Sequence, residues 1–402
     1  MISEASRPYI DASIPVLREH GLAITSLFYA NMLGAHPELT RIFNMGNQAR
    51  GAQQQSLASA VFAYAANIGS PEALGPVVQR IVHKHVSVGI RAEHYPIVGK
   101  HLLEAIAATL GDAATPALLD AWKEAYTSLA RLLIAAEAEL YSSAGIEPGA
   151  TRPMRVTEVV RESANVLSIR FEPADGKPLA DFKPGQYVSV AVDFADGRRQ
   201  LRQYSLSDRP GVGSYRISVK REDALTDTPG VATPAGEISN WLHANVQAGT
   251  ILQVSHPFGE FTPDTEGGQP VVLLSAGVGI TPMVSALKRI AEVNPQRRVI
   301  FAHAARDPGS HALGAEVAAL KVAMPNLSVL NFYEDVQGAA EAVEGRMDVA
   351  RLPAWPHEEA DVYLCGPHKF MQAQWLALIN AGVPVARLHR EVFGPELLDH
   401  LL

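Results

Sequence analysis

One cysteine, Cys365, is the whole thiol content of this 402-residue chain, which excludes an internal disulfide and fits a reducing, cytoplasmic location. No run of eighteen apolar residues occurs, so neither a membrane-spanning helix nor stable membrane insertion is expected. The first twenty residues mix charged and apolar types and lack the uninterrupted apolar core of a signal peptide. Charge of neither sign is concentrated. The formal net charge is -8 and no basic block offers a footprint for nucleic acid. Internal repeats and low-complexity tracts are also missing. With 47% hydrophobic and 19% charged residues the chain is globular, and its length implies two or three cores rather than one.

Three textures follow one another. Residues 1–145 repeat apolar side chains at helical spacing, as in Ile10-Ile14-Leu17, Leu57-Val61-Tyr64-Ile68 and Trp122-Tyr126-Leu129-Leu133. Pro37, Pro71, Pro76, Pro96 and Pro116 fall where helix starts or loops are expected, which suggests globin-like or bundle packing. A small, polar, Gly- and Pro-rich stretch from Ser142 to Pro153 reads as a linker. Over 153–262 the period changes to two (Val166-Ser168-Arg170, Tyr187-Ser189-Ala191, Tyr215-Ile217-Val219, Ile251-Gln253-Ser255), the pattern of a small antiparallel barrel. Over 267–402 short apolar strands (Val271–Leu274, Val299–Ala302, Val329–Phe332, Val362–Leu364) alternate with helical stretches, predicting a doubly wound parallel sheet.

The motifs sit where such an architecture would use them. Gly277-Val278-Gly279-Ile280-Thr281-Pro282 ends an apolar strand and opens an amphipathic helix. Such a turn brings backbone close to a pyrophosphate at a helix N-terminus. Thr281 adds a hydroxyl, and Pro282 suits a first helical turn. Alone, the turn is as readily a structural one. Pro282 in place of a third glycine points to the ferredoxin reductase-like branch, and so do its companions. Upstream lie Arg202-Gln203-Tyr204-Ser205, preceded by Pro184-Gly185-Gln186-Tyr187 and followed by Gly236-Glu237-Ile238-Ser239. Downstream lie Cys365-Gly366-Pro367 and Glu391-Val392-Phe393-Gly394-Pro395. In that branch the Arg202 guanidinium pairs with flavin phosphate. Tyr204 packs beside the isoalloxazine, Ser205 lies near its reactive edge, and Tyr187, Gly236 and Ser239 complete the flavin site. The resemblance puts Cys365 beside the nicotinamide and Phe393 where the aromatic of relatives stacks on the flavin. Taken singly, Arg202 and Tyr204 could be ordinary strand residues, and Cys365 a buried small one.

In the helical part, fourteen histidines leave room for a metal or haem ligand. His83 and His85 flank Lys84, and residues two apart on a helix face different ways, so only one can serve a given cavity. Tyr29, Phe43, and Gln53 with Leu57 at i, i+4 supply an opposing wall.

Together these motifs resemble the bacterial flavohaemoglobins over essentially the whole chain, from Phe28-Tyr29 through Lys84-His85, Tyr95-Pro96-Ile97-Val98-Gly99 and Glu137-Ala138-Glu139 to Phe393-Gly394-Pro395. The resemblance implies an all-α globin at 1–145, an antiparallel β-barrel for FAD at 153–262 and an α/β doubly wound parallel sheet for NAD(P) at 267–402. It implies haem b held through iron by His85, with Tyr95 and Glu137 forming a hydrogen-bonded relay behind it. Tyr29 and Gln53 meet iron-bound oxygen, Leu57 roofs the site and Phe43 lines it. Lys84 and Glu391 lie between haem and flavin. The implied activity is nitric oxide dioxygenation: NAD(P)H reduces FAD, single electrons pass to the haem, and NO and O2 become nitrate. Two competing readings are a haem-based oxygen binder or sensor with its own reductase, and a flavin-dependent reductase of other acceptors. Implied partners are the small molecules O2, NO and NAD(P)H, with lipid a candidate occupant of the distal haem pocket and the chain a monomer. Phe301-Ala302-His303-Ala304, expected just after the second sheet strand, gives no choice between NADH and NADPH. Two departures from close relatives stand out: the linker Gly149-Ala150-Thr151-Arg152 lacks their tryptophan, and the stretch Asp223 to Ala235 is lengthened.

Overall fold

The computed structural model describes residues 2–224 and 234–395. The chain forms two compact units. One comprises the described residues up to Thr151 together with Ala191–Arg202 and the described end of the chain from Gly394; the other comprises Arg152–Val190 and Gln203–Phe393.

The first unit is helical: α1 (Arg7–Ala35), α2 (Met45–Ala49), α3 (Ala52–Ala66), α4 (Pro71–Val88), α5 (His94–Leu110) and α6 (Pro116–Ala144). Ile10, Leu17, Ile24, Phe28 and Met32 fall on one face of α1. They pack with Ala105 and Ile106 of α5 and Trp122 and Ala125 of α6. Each of the Ile, Leu, Phe and Met side chains taken out of water contributes about 1.5–3 kcal/mol. α6 starts where the sequence caps it, with Thr115 accepting from the Leu118 N–H and Pro116 at the first position. It runs to Ala144 and ends on Gly145 in the left-handed conformation, while the first strand begins at Arg152. The expected linker from Ser142 to Pro153 is therefore shorter, residues 145–151, because helix propensity and the burial of Tyr141 carry α6 into its polar start. Pro76, expected at a start or loop, lies inside α4. There it forfeits one helical hydrogen bond, tolerable within the first two turns.

Two sheets follow: one lies mostly in the second unit, with its Ala191–Asp193 and Arg199–Arg202 stretches assigned to the first, and the other lies wholly in the second. β1 (Arg152–Ser163), β2 (Val166–Pro173), β3 (Tyr187–Asp193), β4 (Arg199–Ser205), β5 (Tyr215–Lys220) and β6 (Ile251–Val254) form an antiparallel sheet ordered β4-β3-β6-β1-β2-β5, with α7 (Glu237–Asn245) before β6. A bridge from Leu206, just past β4, to Ile217 on β5 joins the two edges and closes the barrel. Period two is present, but β5 is buried almost continuously. Ile217 and Val219 are core, and Arg216 and Ser218 on the other face are covered as well.

The parallel sheet comprises β7 (Val271–Ala276), β8 (Val299–Ala305), β9 (Leu327–Tyr333), β10 (Val343–Glu344), β11 (Asp361–Cys365) and β12 (Leu388–Glu391), with α8 (Ile280–Val293), α9 (Gly314–Ala323) and α10 (His368–Asn380) as helices. Its order, β10-β9-β8-β7-β11-β12, reverses direction between β7 and β11. Leu273 and Phe301 face one helical layer and Leu274 and Ala302 the other, so the central strands read as unbroken apolar runs. The expected strands are all present. Phe301 to Ala304 lie within β8 rather than after it, because this strand extends to Ala305. Of the stretch expected to be lengthened, residues 225–233 lie outside the described residues. No helix among the described residues is long and apolar enough to cross a membrane.

Candidate functional site

α4 carries His85 in its last turn, and Gly89 with φ of 83° closes that turn by letting the Ile90 N–H reach the His85 carbonyl at 3.0 Å. His85 Nδ1 lies 2.7 Å from Glu137 Oε1 and 3.2 Å from the Tyr95 hydroxyl, which itself donates to the same Glu137 oxygen at 2.5 Å. Of the two neighbouring histidines, His85 is the one that joins this cluster. Glu137 is 2% exposed, so its carboxylate depends on these donors. A carboxylate oxygen accepts, so the ring donates through Nδ1 and turns Nε2 away from Glu137. Burial first, and then the Glu137 carboxylate, push the Tyr95 phenol well above its usual range, so it stays a donor. Glu137 is thus buried and paired with both His85 and the Tyr95 hydroxyl.

Two further tyrosines brace this cluster, and sequence reasoning did not single them out. Tyr126 donates to the Tyr95 carbonyl at 2.6 Å, and Tyr141 donates to the Ile90 carbonyl at 2.8 Å. The spacing Glu137–Tyr141, i and i+4 on α6, was the available signal. Gly99 makes room for Tyr126: a Cβ there would lie 2.5 Å from its ring.

Tyr29 of α1 is 5% exposed, and its ring meets Phe43 edge-on at 5.7 Å. Burial raises the Tyr29 phenol far above its ordinary value against a smaller opposite pull from its hydrogen bond with Gln53. The sequence-expected group of Tyr29, Phe43, Gln53 and Leu57 is therefore linked through Tyr29 in part, with Leu57 packed on the same apolar cluster. Phe43, Leu57 and Val61 remain only half-buried, and the His85 side chain keeps 34% of its surface. An imidazole with no hydrogen bond on its outer nitrogen among the described residues, and apolar side chains left incompletely covered in the same unit, suit a flat macrocycle with a metal centre. The residues fit haem. Lys84 Nζ donates to the Gly394 carbonyl at 3.0 Å. Lys84 belongs to the first unit and Glu391 to the second.

In the second unit, Gly185 (φ 99°) turns the chain into Tyr187, and a Cβ there would overlap the Phe261 carbonyl. Tyr187 is buried and pairs through its backbone with Phe258 at 2.8 and 2.9 Å. Ser205 is buried at the end of β4, Tyr204 is half-buried and Gln203 exposed. Arg202, assigned to the first unit, holds the Leu201 carbonyl at 2.6 Å. Gly236 is the N-cap of α7, and no side chain caps this helix start. Ser239 is turned inward: its hydroxyl donates to the Gly236 carbonyl and accepts from the Glu222 N–H, both at 3.1 Å. A half-exposed tyrosine and an uncapped helix start fit a flavin nucleotide.

The glycine turn and the cysteine motif meet at the reversal point of the parallel sheet, outside the carboxyl ends of β7 and β11. Gly277 needs its freedom for conformation, with φ of 54° and open space where a Cβ would stand. Gly279 needs it for space, since a Cβ would lie 2.3 Å from the Cys365 carbonyl oxygen and 2.8 Å from the Gly366 nitrogen. Ile280, Thr281 and Pro282 are buried in the first turn of α8, Val278 is half-buried, and the Thr281 hydroxyl donates back to the Val278 carbonyl at 3.0 Å. Pro367 precedes α10 as its N-cap. Cys365 is fully buried; burial, then neighbouring Glu391, hold its thiol well above the usual range, so it is neutral. Glu391 stands in register with Cys365 on β12, and its Oε1 accepts from the Val392 N–H at 2.9 Å. Val392 is buried, Phe393 and Gly394 are exposed, and Pro395 is half-buried.

Residues 26–133 match the globin family, 153–262 the oxidoreductase FAD-binding domain family and 273–375 the oxidoreductase NAD-binding domain family. A flavohemoprotein of Bordetella parapertussis is 48% identical over 98% of this chain and 99% of its own length, and one of Rhizobium meliloti is 45% identical over 99% of each. The crystal structure of a flavohemoglobin from Malassezia yamatoensis, with bound FAD and heme, superposes with a TM-score of 0.85 at 31% identity, covering 98% of this chain and 100% of that one. The FAD/NAD-binding domain of a nitric oxide dioxygenase from Vibrio cholerae covers 61% of this chain at 37% identity and a TM-score of 0.55.

Proposed function

The chain belongs to the flavohemoprotein family, and from that premise we propose that it is a cytoplasmic, monomeric nitric oxide dioxygenase that uses NAD(P)H to convert NO and O2 to nitrate. One observation carries the reading: the ring of His85 is held by a buried carboxylate rather than by a neutral carbonyl. An anionic partner makes the imidazole a stronger donor, which suits oxygen activation over oxygen storage.

We divide the chain into a haem region at 1–145, a flavin region at 153–262 and a nicotinamide region at 267–402. Haem, FAD and NAD(P)H supply the redox chemistry when bound. The protein's own residues do the rest. His85 presents Nε2 to iron while Glu137 and Tyr95 fix its tautomer. Tyr29, kept protonated by burial, donates toward the distal ligand, with Gln53 orienting it and Leu57 and Phe43 excluding water. Arg202 meets flavin phosphate, Gly236 and Ser239 present the amides of α7, and Tyr187, Tyr204 and Ser205 border the ring system. Gly277 to Pro282 receive the dinucleotide pyrophosphate, Cys365 to Pro367 border the nicotinamide, and Val392 to Pro395 close the flavin face. Lys84 and Glu391 tune the two redox centres, and small gases or a lipid tail suit the apolar distal side.

The test compares NADH oxidation by the purified holoprotein with oxygen alone and with oxygen plus nitric oxide. The proposal expects a large nitric oxide-dependent excess with nitrate as product. Equal rates would leave an oxygen binder or a reductase of other acceptors.

A further inference from the structure

Between the barrel and the parallel sheet of the second unit lies a partly buried cluster of charge that no motif announces. Asp208 follows β4 by three residues and is 4% exposed. Its Oδ1 pairs with Lys288 of α8 at 2.5 Å and its Oδ2 with Arg170 of β2 at 2.7 Å, while its carbonyl accepts from Ser285 of α8 at 2.7 Å. Lys288 also reaches Glu316 of α9 at 3.0 Å. Glu316 in turn is gripped by both terminal nitrogens of Arg216, a β5 side chain 6% exposed, which also holds the Ser207 carbonyl. Every member thus bridges the two sheets or supports a member that does.

The placement relative to the redox site gives the cluster a purpose. Ser205, three residues before Asp208, ends the flavin-side motif. Lys288 lies two turns along the same helix whose start is the glycine turn, ~12 Å from its first residue Ile280 at 1.5 Å per residue. A helix two turns long is stiff, so whatever fixes Lys288 against Asp208 fixes the nicotinamide end of α8 against the flavin strand. Apolar contact also exists here, since Val166 and Phe261 of the barrel join the cluster under α8. Apolar contact is non-directional and sets adhesion rather than register. Directed, bidentate ion pairs set register. Beside them opens a cavity of about 350 Å³ whose lining is charged apart from Ser168 and Val160, so no apolar packing does this work at that point.

We propose that Asp208, Lys288, Glu316 and Arg216 form an interlock that sets the nicotinamide-to-flavin approach, acting as positioning residues for hydride transfer. The interlock rests on the assignment of FAD and NAD(P)H to the second unit, not on the reaction at iron.

The test is anaerobic flavin reduction by NADH in full-length holoprotein, without nitric oxide, so its outcome is independent of the dioxygenase reading. Lys288→Met leaves the Asp208 and Glu316 carboxylates facing one another without their shared cation. The expected result is a limiting reduction rate at least tenfold lower, with the apparent dissociation constant for NADH within twofold of wild type. Lys288→Arg, which keeps the charge, is expected to restore the rate to within threefold. Calorimetry supplies a readout other than turnover: barrel and sheet should melt together in wild type and Lys288→Arg but separately in Lys288→Met. Should Lys288→Met fold poorly, Glu316→Gln at a more exposed position should show the same split between rate and affinity. The interlock is overturned if these variants reduce flavin at the wild-type rate, if affinity falls in step with rate, or if Lys288→Arg is as impaired as Lys288→Met.

Discussion

His85 Nδ1 and Glu137 Oε1 stand 2.7 Å apart although 52 residues separate them in sequence, and the acid is the buried member of the pair. The relation fixes both which ring nitrogen carries the proton and which is left for a metal.

Replacing the ring or its partner should therefore have different effects. His85→Ala should abolish the haem Soret band while NADH still bleaches the flavin. Glu137→Gln keeps an acceptor oxygen but loses the anion, and should retain haem while nitric oxide turnover falls about 10–100-fold. A Glu137→Gln protein of undiminished turnover would remove the carboxylate from the argument.

Tyr29→Phe deletes one buried donor without changing ring packing on Phe43. Oxygen dissociation measured by flash photolysis should accelerate about tenfold, the equivalent of one hydrogen bond of ~1.4 kcal/mol. An unchanged rate would mean the phenol does not reach the ligand.

The two glycines of the nucleotide turn should respond unequally. Gly277→Ala meets open space and bears only the strain of a positive φ, about 1–2 kcal/mol. Gly279→Ala drives a methyl into the Cys365 peptide, an overpacking cost of about 1–3 kcal/mol or more, and should also raise the KM for NADH. Calorimetry of both variants ranks them; the reverse order would contradict the geometry.

Acid should weaken the parallel sheet through a pair of stacked imidazoles. His303 and His311 lie 4.2 Å apart, His303 bonded to Ser275 at 2.9 Å and His311 to the Tyr333 hydroxyl at 2.7 Å. Burial lowers both, His311 to about 4 and His303 well below its ordinary value. The unfolded chain, with ordinary histidines, then binds more protons between pH 6.5 and 4, so stability falls as pH drops through that window. For His311 alone the loss amounts to about 3 kcal/mol at 1.36 kcal/mol per unit. Urea midpoints measured from pH 7 to 4.5 should slope less steeply in His311→Gln; parallel slopes would refute this.

Much of the architecture was legible in local pattern. The change from helical period to period two and then to apolar strands tracks the helical part, the barrel and the parallel sheet, because burial of one face imposes its period on the sequence. Gly277 and Gly279 were readable as a pair, yet only the fold shows that one serves conformation and the other space. Pro76 and the polar start of the expected linker misled, since a helix with enough buried face absorbs unfavourable residues at its ends. Asp208, Lys288, Glu316 and Arg216 left no mark in the sequence, being ordinary charged residues far apart along it.

The amino-acid sequence alone determined the order of the three folds and the short motifs to which we assign haem, flavin and nicotinamide, because periodicity and short motifs are local properties of a chain. The tertiary structure decided how remote residues meet: one Glu137 oxygen shared by His85 and Tyr95, Gly279 against Cys365, Asp208 against Lys288. Those choices depend on burial and on distances between remote segments, and the low dielectric that makes them count exists only once the segments have packed.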